Sequence, residues 1–245
     1  MDSITSRHNP VFKLFVAAKK DKAMMMLEGR RLVEDALLRG MTPRMAAATP
    51  AYCGTYGEPS FPCIILDERL FAHIADTVTP QGILAFFDTP WADFSDIPAC
   101  EKVLVLDALQ DPGNVGTIIR TAEAFGFSAA ILTQVTASPF SPKAVRSSMG
   151  SCFGMKIVKA QVSDLKKLPH TIISLAPRGE SEFRSAFFAG MVAICLGREG
   201  EGLSKEILDI SHHRICIPMK GPTESLNVAV AAGIVLAYAG GVWRR

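Results

Sequence analysis

Lys102-Val-Leu-Val-Leu-Asp-Ala-Leu-Gln-Asp-Pro-Gly-Asn-Val-Gly-Thr-Ile-Ile-Arg-Thr-Ala-Glu-Ala-Phe-Gly126 decides the fold class. Val103–Leu106 is a short apolar run of the kind that forms a strand. It ends at Asp107, a Pro-Gly turn follows, and a helix is expected to begin near Asn114. Ile118, Ala122 and Phe125 recur at i, i+4 and i+7 and mark one apolar face, with Gly116, Arg120 and Glu123 opposite. A glycine one turn before an arginine leaves bare backbone where a bulky group could approach. Gly126 is placed to stop the helix as its C′ residue. Four more apolar runs follow the pattern: Ala129–Thr133, Thr171–Leu175, Val192–Leu196 and Arg214–Ile217, with helix-like stretches between them. This alternation predicts an α/β fold, a mostly parallel sheet with helices on both faces. In such sheets ligands bind beyond the C-terminal strand ends.

Outward toward the N-terminus the texture changes. Pro10 opens a helix near N1. Glu28 to Leu38 carries Leu32, Val33, Ala36 and Leu37 at helical spacing. Met45–Tyr52 and Gly82–Phe87 read as strands, and Asp67–Ala75 as a short helix. Residues 88–101, with two prolines, four acids and no period, read as a linker. The expected organisation is a small α+β domain over 1–90, a linker over 91–101 and the α/β domain over 102–245.

Composition narrows the class. With 49% hydrophobic and 20% charged residues the chain is globular. A net charge of +2 does not announce a nucleic-acid binder. The charge is uneven, however: residues 1–22 hold Arg7, Lys13, Lys19, Lys20 and Lys22 against Asp2 and Asp21. That segment suits phosphate contacts, or equally a solvated helix face. The six cysteines form no CxxC pair, so no metal site is expected. Cys195 and Cys216 lie in apolar runs, and the thiol usage fits a reducing cytoplasm. Met1 to His8 lacks the apolar core of a signal peptide. Val228 to Trp243 is almost wholly apolar or glycine, yet falls short of the ~20 residues of a spanning helix. A buried helix at a core or subunit interface, and no membrane partner, is expected.

Two further clusters sit directly after apolar runs. Leu196-Gly-Arg-Glu-Gly-Glu-Gly-Leu-Ser204 spaces three glycines at alternate positions. Such a stretch either brings backbone close to a ligand or closes a tight surface loop. It matches neither the dinucleotide nor the P-loop pattern, which argues against a nicotinamide-dependent dehydrogenase. In Ile215-Cys-Ile-Pro-Met-Lys-Gly-Pro-Thr-Glu-Ser-Leu-Asn-Val-Ala229, Ser225 is positioned to cap the apolar helix behind it. Asn227, a polar amide in the first turn, must find partners.

Taken in order, the three clusters resemble the motifs of the SpoU (TrmH-like) class of RNA methyltransferases in the SPOUT superfamily. Asn114, Gly116 and Arg120 match the first motif, and Gly197, Glu199 and Gly202 the second. Pro218, Met219, Gly221, Ser225, Leu226 and Asn227 match the third. Ala144 to Gly150 resembles the family's intermediate segment, and the likeness covers 102–245. Ala229 departs from it, standing where many members carry a small hydroxyl residue. The first 87 residues resemble, more loosely, the ribosomal-protein-like substrate-binding domain often fused ahead of this class. The matching points are Ser6, Asn9-Pro10, Leu27 to Gly29 and Thr79 to Gly82.

The resemblance implies a trefoil knot, a homodimer and S-adenosyl-L-methionine as methyl donor for a ribose 2′-hydroxyl in RNA. It places Leu175, Ala176, Gly197, Ile217, Met219 and Leu226 at the cofactor. Arg120 becomes the residue acting on the reacting hydroxyl, as a base or as a phosphate-gripping cation. Asn114, Glu199, Ser225 and Asn227 become the groups that orient ribose, arginine and cofactor. The added N-terminal domain favours large-subunit ribosomal RNA over tRNA. A base methyltransferase and a non-catalytic RNA-binding protein on the same fold are the rival readings.

Overall fold

The computed structural model describes residues 3–133, 135–176, 185–222 and 225–242. Asp2, Thr223 and Glu224 of the third cluster, and Trp243 lie outside the described residues. The chain divides into two compact units, Met1–Thr89 with Phe140–Pro142, and Pro90–Pro139 with Lys143–Arg245.

In chain order the first unit holds α1 (Pro10–Ala18), β1 (Met24–Glu28), α2 (Arg30–Leu38), β2 (Met45–Ala48), α3 (Pro50–Tyr56), β3 (Ile64–Ile65), α4 (Glu68–Ile74) and β4 (Ile83–Asp88). Its sheet runs β1-β4-β2-β3. β4 pairs antiparallel with β1 and β2, and β3 adds to β2 in parallel. Phe12 and Phe15 of α1 and Phe71 and Ile74 of α4 close one core against Met26, Ala47, Leu84 and Phe86 of the sheet. Helix starts follow their sequence signals. Asn9 accepts from Val11 N at 2.8 Å ahead of Pro10, and Asp67 from Leu70 N at 2.8 Å.

Two expectations are corrected here. Glu28, read as helical, ends strand β1, and the helix starts only at Arg30. The apolar run from Met45 ends as a strand at Ala48, not Tyr52. Thr49 accepts from Tyr52 N at 3.2 Å and Pro50 stands at N1, so the chain turns into α3.

The second unit holds β5 (Lys102–Asp107), α5 (Pro112–Ala124), β6 (Ala129–Leu132), α6 (Pro142–Ser148), β7 (Lys156–Lys159), α7 (Val162–Leu165), β8 (Thr171–Leu175), β9 (Val192–Gly197), α8 (Lys205–Ile210), β10 (His213–Ile215) and α9 (Val228–Ala239). The six strands run β10-β8-β9-β5-β6-β7, every neighbouring pair parallel. The α/β class and parallel sheet expected from the strand–helix alternation are therefore observed. β9 is buried along its whole length, which is why Val192–Leu196 carries no polar alternation. Burial also lifts the Cys152 thiol to about 11, so it behaves as a small apolar side chain.

The stretch expected as a linker is packed. Phe94–Ala99 forms a 3₁₀ turn, Ile97 is fully buried in the core of the second unit, and Ala92 N donates to Ile157 O at 2.9 Å. Alternating acids and prolines conceal one well-placed isoleucine. No helix among the described residues is long and apolar enough to cross a membrane.

Candidate active site

The parallel order places the C-terminal ends of β10, β8, β9 and β5 side by side. Register pairs Asp107 with Gly197 and Leu175 with Ile215. The three sequence clusters leave the sheet at this edge.

Helix α5 begins two residues earlier than expected, at Pro112, because Asp111 and not a later residue caps it. The Asp111 carboxylate accepts from Gly113 N and Asn114 N at 3.2 and 3.3 Å and pairs with Lys143. The Lys143 ammonium, then these N–H groups, hold it below the usual carboxylate range. At the other end Gly126 N donates to Glu123 O and Phe127 N to Ala122 O, the C-terminal stop expected from Gly126. Gly116 does not lie open. A Cβ there would stand 2.3 Å from Ala144 O and 2.8 Å from Ser147 Cβ, so the glycine serves contact between α5 and α6. The reading of Gly116 as bare backbone facing a ligand is thus corrected. Arg120, one turn on, is exposed and has no hydrogen bond or ion pair among the described residues.

The Gly197–Ser204 stretch closes on itself as a tight loop. Gly202 N donates to Arg198 O at 2.9 Å, and Arg198 pairs with Glu201. A Cβ on Gly197 would stand 2.2 Å from Gly202 C. The loop is tied to the sheet by buried Asp107, whose Oδ2 accepts from Ser204 N at 2.8 Å. Glu199 projects from this loop.

Asn227, not Ser225, caps α9: its Oδ1 accepts from Ala229 N at 2.8 Å and Val230 N at 3.4 Å. The expectation for Ser225 is corrected; Ser225 is exposed and makes no hydrogen bond among the described residues. A cap two residues nearer the helix needs no loop to fold back.

The three clusters meet at one point. Asn114 Nδ2 donates to Glu199 Oε1, and Asn227 Nδ2 donates to Asn114 Oδ1 at 3.5 Å. Asn114 thus spends its donor on the second cluster and its acceptor on the third. Arg120 and Ser225 are not drawn into this set. Sequence reasoning passed over Asp107 and Asp111, which hold the second loop and the first helix. The Asp-Pro pair at 111–112 was the available signal for the cap; Asp107 gave none.

The adjacent loops suit an adenosine-containing group. Ala176 N is used by Ile215 O at 2.9 Å, whereas the N–H groups of Ile217, Met219 and Leu226 find no acceptor among the described residues. Met219 and Leu226 leave apolar side chains 39% and 38% exposed in the same loop. Leu175, Ala176 and Ile217 are half-buried, and Gly197 is buried. Backbone donors flanked by apolar walls suit a purine ring.

Comparison with known proteins agrees. Residues 101–237 match the SpoU rRNA Methylase family, and residues 18–85 an MRM3-like substrate binding domain. An uncharacterized tRNA/rRNA methyltransferase of Synechocystis is 33% identical over 96% of this chain and 92% of its own. The 23S rRNA (guanosine(2553)-2′-O)-methyltransferase RlmP of Bacillus subtilis is 33% identical over 87% of each. The AdoMet-bound rRNA methyltransferase of Sinorhizobium meliloti superposes with a TM-score of 0.85 at 29% identity, over 100% of this chain and 99% of that one. The SpoU methyltransferase AviRb of Streptomyces viridochromogenes, in complex with AdoMet, gives 0.80 at 25% identity over 95% and 98%. Motif geometry, family match and full-length likeness converge: the chain belongs to the SpoU rRNA methylase family.

Proposed function

We propose that this protein transfers a methyl group from S-adenosylmethionine to a ribose 2′-hydroxyl of large-subunit ribosomal RNA. The contact of Asn114 with both Glu199 and Asn227 carries the reading, because it joins all three motifs at the strand ends where such sheets bind ligands. The relatives named as 23S rRNA 2′-O-methyltransferases support the substrate.

Leu175, Ala176, Gly197, Ile217, Met219 and Leu226 hold the cofactor, which supplies an electrophilic methyl. Met219 and Leu226 wall its ring, and the backbone N–H groups of the same loop orient it. Transfer requires the ribose oxygen in line with that methyl. A guanidinium is not deprotonated in proteins. Arg120 therefore acts as a cation, gripping the adjacent phosphate and stabilising negative charge as it develops on the oxygen. Its guanidinium has no partner among the described residues, which suits contact with RNA. Asn114, Glu199 and Asn227 form the rigid frame of the pocket, and Ser225 reaches the ribose.

The first unit, over 1–90, holds the RNA, with 91–101 joining it to the transfer domain. The segment after Ile215 threads the knot of the superfamily. The protein works in the cytoplasm as a homodimer, supported by Val230 and Ile234, one turn apart on α9 and 54% and 37% exposed. Sedimentation at the mass of a single chain would exclude the dimer.

The activity is tested with methyl-labelled S-adenosylmethionine and unmethylated ribosomal RNA and tRNA in separate reactions. Digestion to nucleosides and mass spectrometry should give a 2′-O-methylated nucleoside from ribosomal RNA. Product from tRNA alone refutes the substrate, a methylated base refutes the reaction, and cofactor binding without transfer to either pool favours the binding-protein reading.

A further inference from the structure

α3 carries Tyr52 and Tyr56 one turn apart, their ring centroids 5.1 Å from each other and their planes tilted by 44°. Tyr52 is buried, with 8% of its surface exposed; Tyr56 is 57% exposed. The Arg30 guanidinium, from the first residue of α2, lies 4.9 Å from the Tyr56 centroid and is held at 2.6 Å by Glu34. A tyrosine with so much open ring is therefore steadied by a buried aromatic neighbour and a tethered cation.

A cleft of about 450 Å³ opens beside these rings, in the size range of small-molecule sites (~300–1,000 Å³). Tyr52, Tyr56, Thr55, Glu68 and Gln81 contribute to its wall. Gln81 Oε1 accepts from Arg30 N at 3.3 Å, which turns Nε2 away as a donor with no acceptor among the described residues. No lysine or arginine lines the cleft, and the Glu68 carboxylate does. The cleft's aromatic and amide lining favours a flat ring that offers hydrogen-bond donors and acceptors. All of these residues lie within the match to a substrate-binding domain.

We propose that this cleft receives an unpaired base of the RNA substrate, stacked on Tyr56 and read by Gln81 and Glu68. The proposal rests on the reading of the chain as an RNA methyltransferase. Unpaired bases are the part of RNA that proteins read by stacking and edge hydrogen bonds. Phosphate contacts from elsewhere on the unit set affinity, and the base in the cleft fixes which loop or bulge is presented for methylation.

The test uses the full chain and in-vitro-transcribed large-subunit ribosomal RNA. Tyr56→Ala should weaken RNA binding about 5- to 100-fold, the loss expected of one base–aromatic stack. It should raise KM for RNA at unchanged kcat. Because stacking releases no counterions, the loss should be equal at about 50 and about 200 mM salt. Tyr56→Phe, which keeps the ring, should restore most of the affinity, and both variants should retain a cooperative thermal transition. Parental affinity in Tyr56→Ala, or a loss that disappears at the higher salt, overturns the base site while leaving the methyltransferase reading intact. If the parent itself neither binds nor methylates ribosomal RNA, both fall together.

Discussion

Arg120 and Gly116 share a helix turn and make opposite demands. Arg120 is exposed and has no partner among the described residues, so its loss should cost the fold little. Arg120→Ala is expected to lower kcat on the order of 10²- to 10³-fold, the scale for removing one donor from developing charge. Cofactor affinity, measured by calorimetry, should be unchanged; normal turnover would remove the arginine from the reaction. Gly116 is the reverse case. A methyl group there meets the Ala144 carbonyl, which belongs to backbone and cannot swing aside. Gly116→Ala should destabilise the protein by ~1–3 kcal/mol through overpacking, visible as a lower urea midpoint. An unshifted midpoint would mean that α5 and α6 separate freely. Both residues stand in one motif, and the sequence alone cannot tell which serves packing and which chemistry, since spacing records a face but not what covers it.

At the scale of elements, Asn227 does two jobs with one amide. Its oxygen caps α9 and its nitrogen donates to Asn114. Asn227→Asp keeps the cap, and its carboxylate suits a helix N-terminus, but it has no N–H to give and sets a negative charge near Glu199. Thermal stability should hold within ~0.5 kcal/mol while methyl transfer falls sharply; equal activity would show that the link to Asn114 is incidental. Most strands of the second unit were legible because a buried parallel strand is largely apolar. β7 was not, since only Ile157 and Val158 of its four residues are buried. β1 was missed for a different reason: Met24 to Leu27 suits helix and strand alike, and pairing with β4 decides it. The site was legible as three motifs. Its cross-links were not, because Asn114, Glu199 and Asn227 are joined only through tertiary contact.

At the scale of the whole molecule, acid stability turns on His170. Its side chain is buried in the second unit, with Nε2 at 2.6 Å from Cys100 O and Nδ1 without a partner. Burial pulls its pKa below the ordinary 6.5, more than the Cys100 carbonyl restores. The unfolded chain thus takes up a proton at a pH where the folded one does not. Stability is complete above 6.5 and falls as pH drops through that value toward the folded pKa. Urea titrations between about pH 8 and pH 5 should show this decline, and His170→Phe should flatten it. A parent protein equally stable across that range would refute the assignment.

The strand order also imposes a timetable on synthesis. β1 finds β4 as soon as Asp88 has emerged, so the sheet of the first unit can close early in translation. β5 gains β6 quickly on one edge, but its other edge waits for Val192 to Gly197. Asn114 waits longer still, for a partner 113 residues downstream. In the nascent chain a strand edge that is apolar from Val103 to Leu106 therefore stands open for most of the time the second unit is being made, which invites chaperones or mispairing. The sheet of the first unit can close well before that of the second, so an unfinished chain carries one finished sheet and one open one.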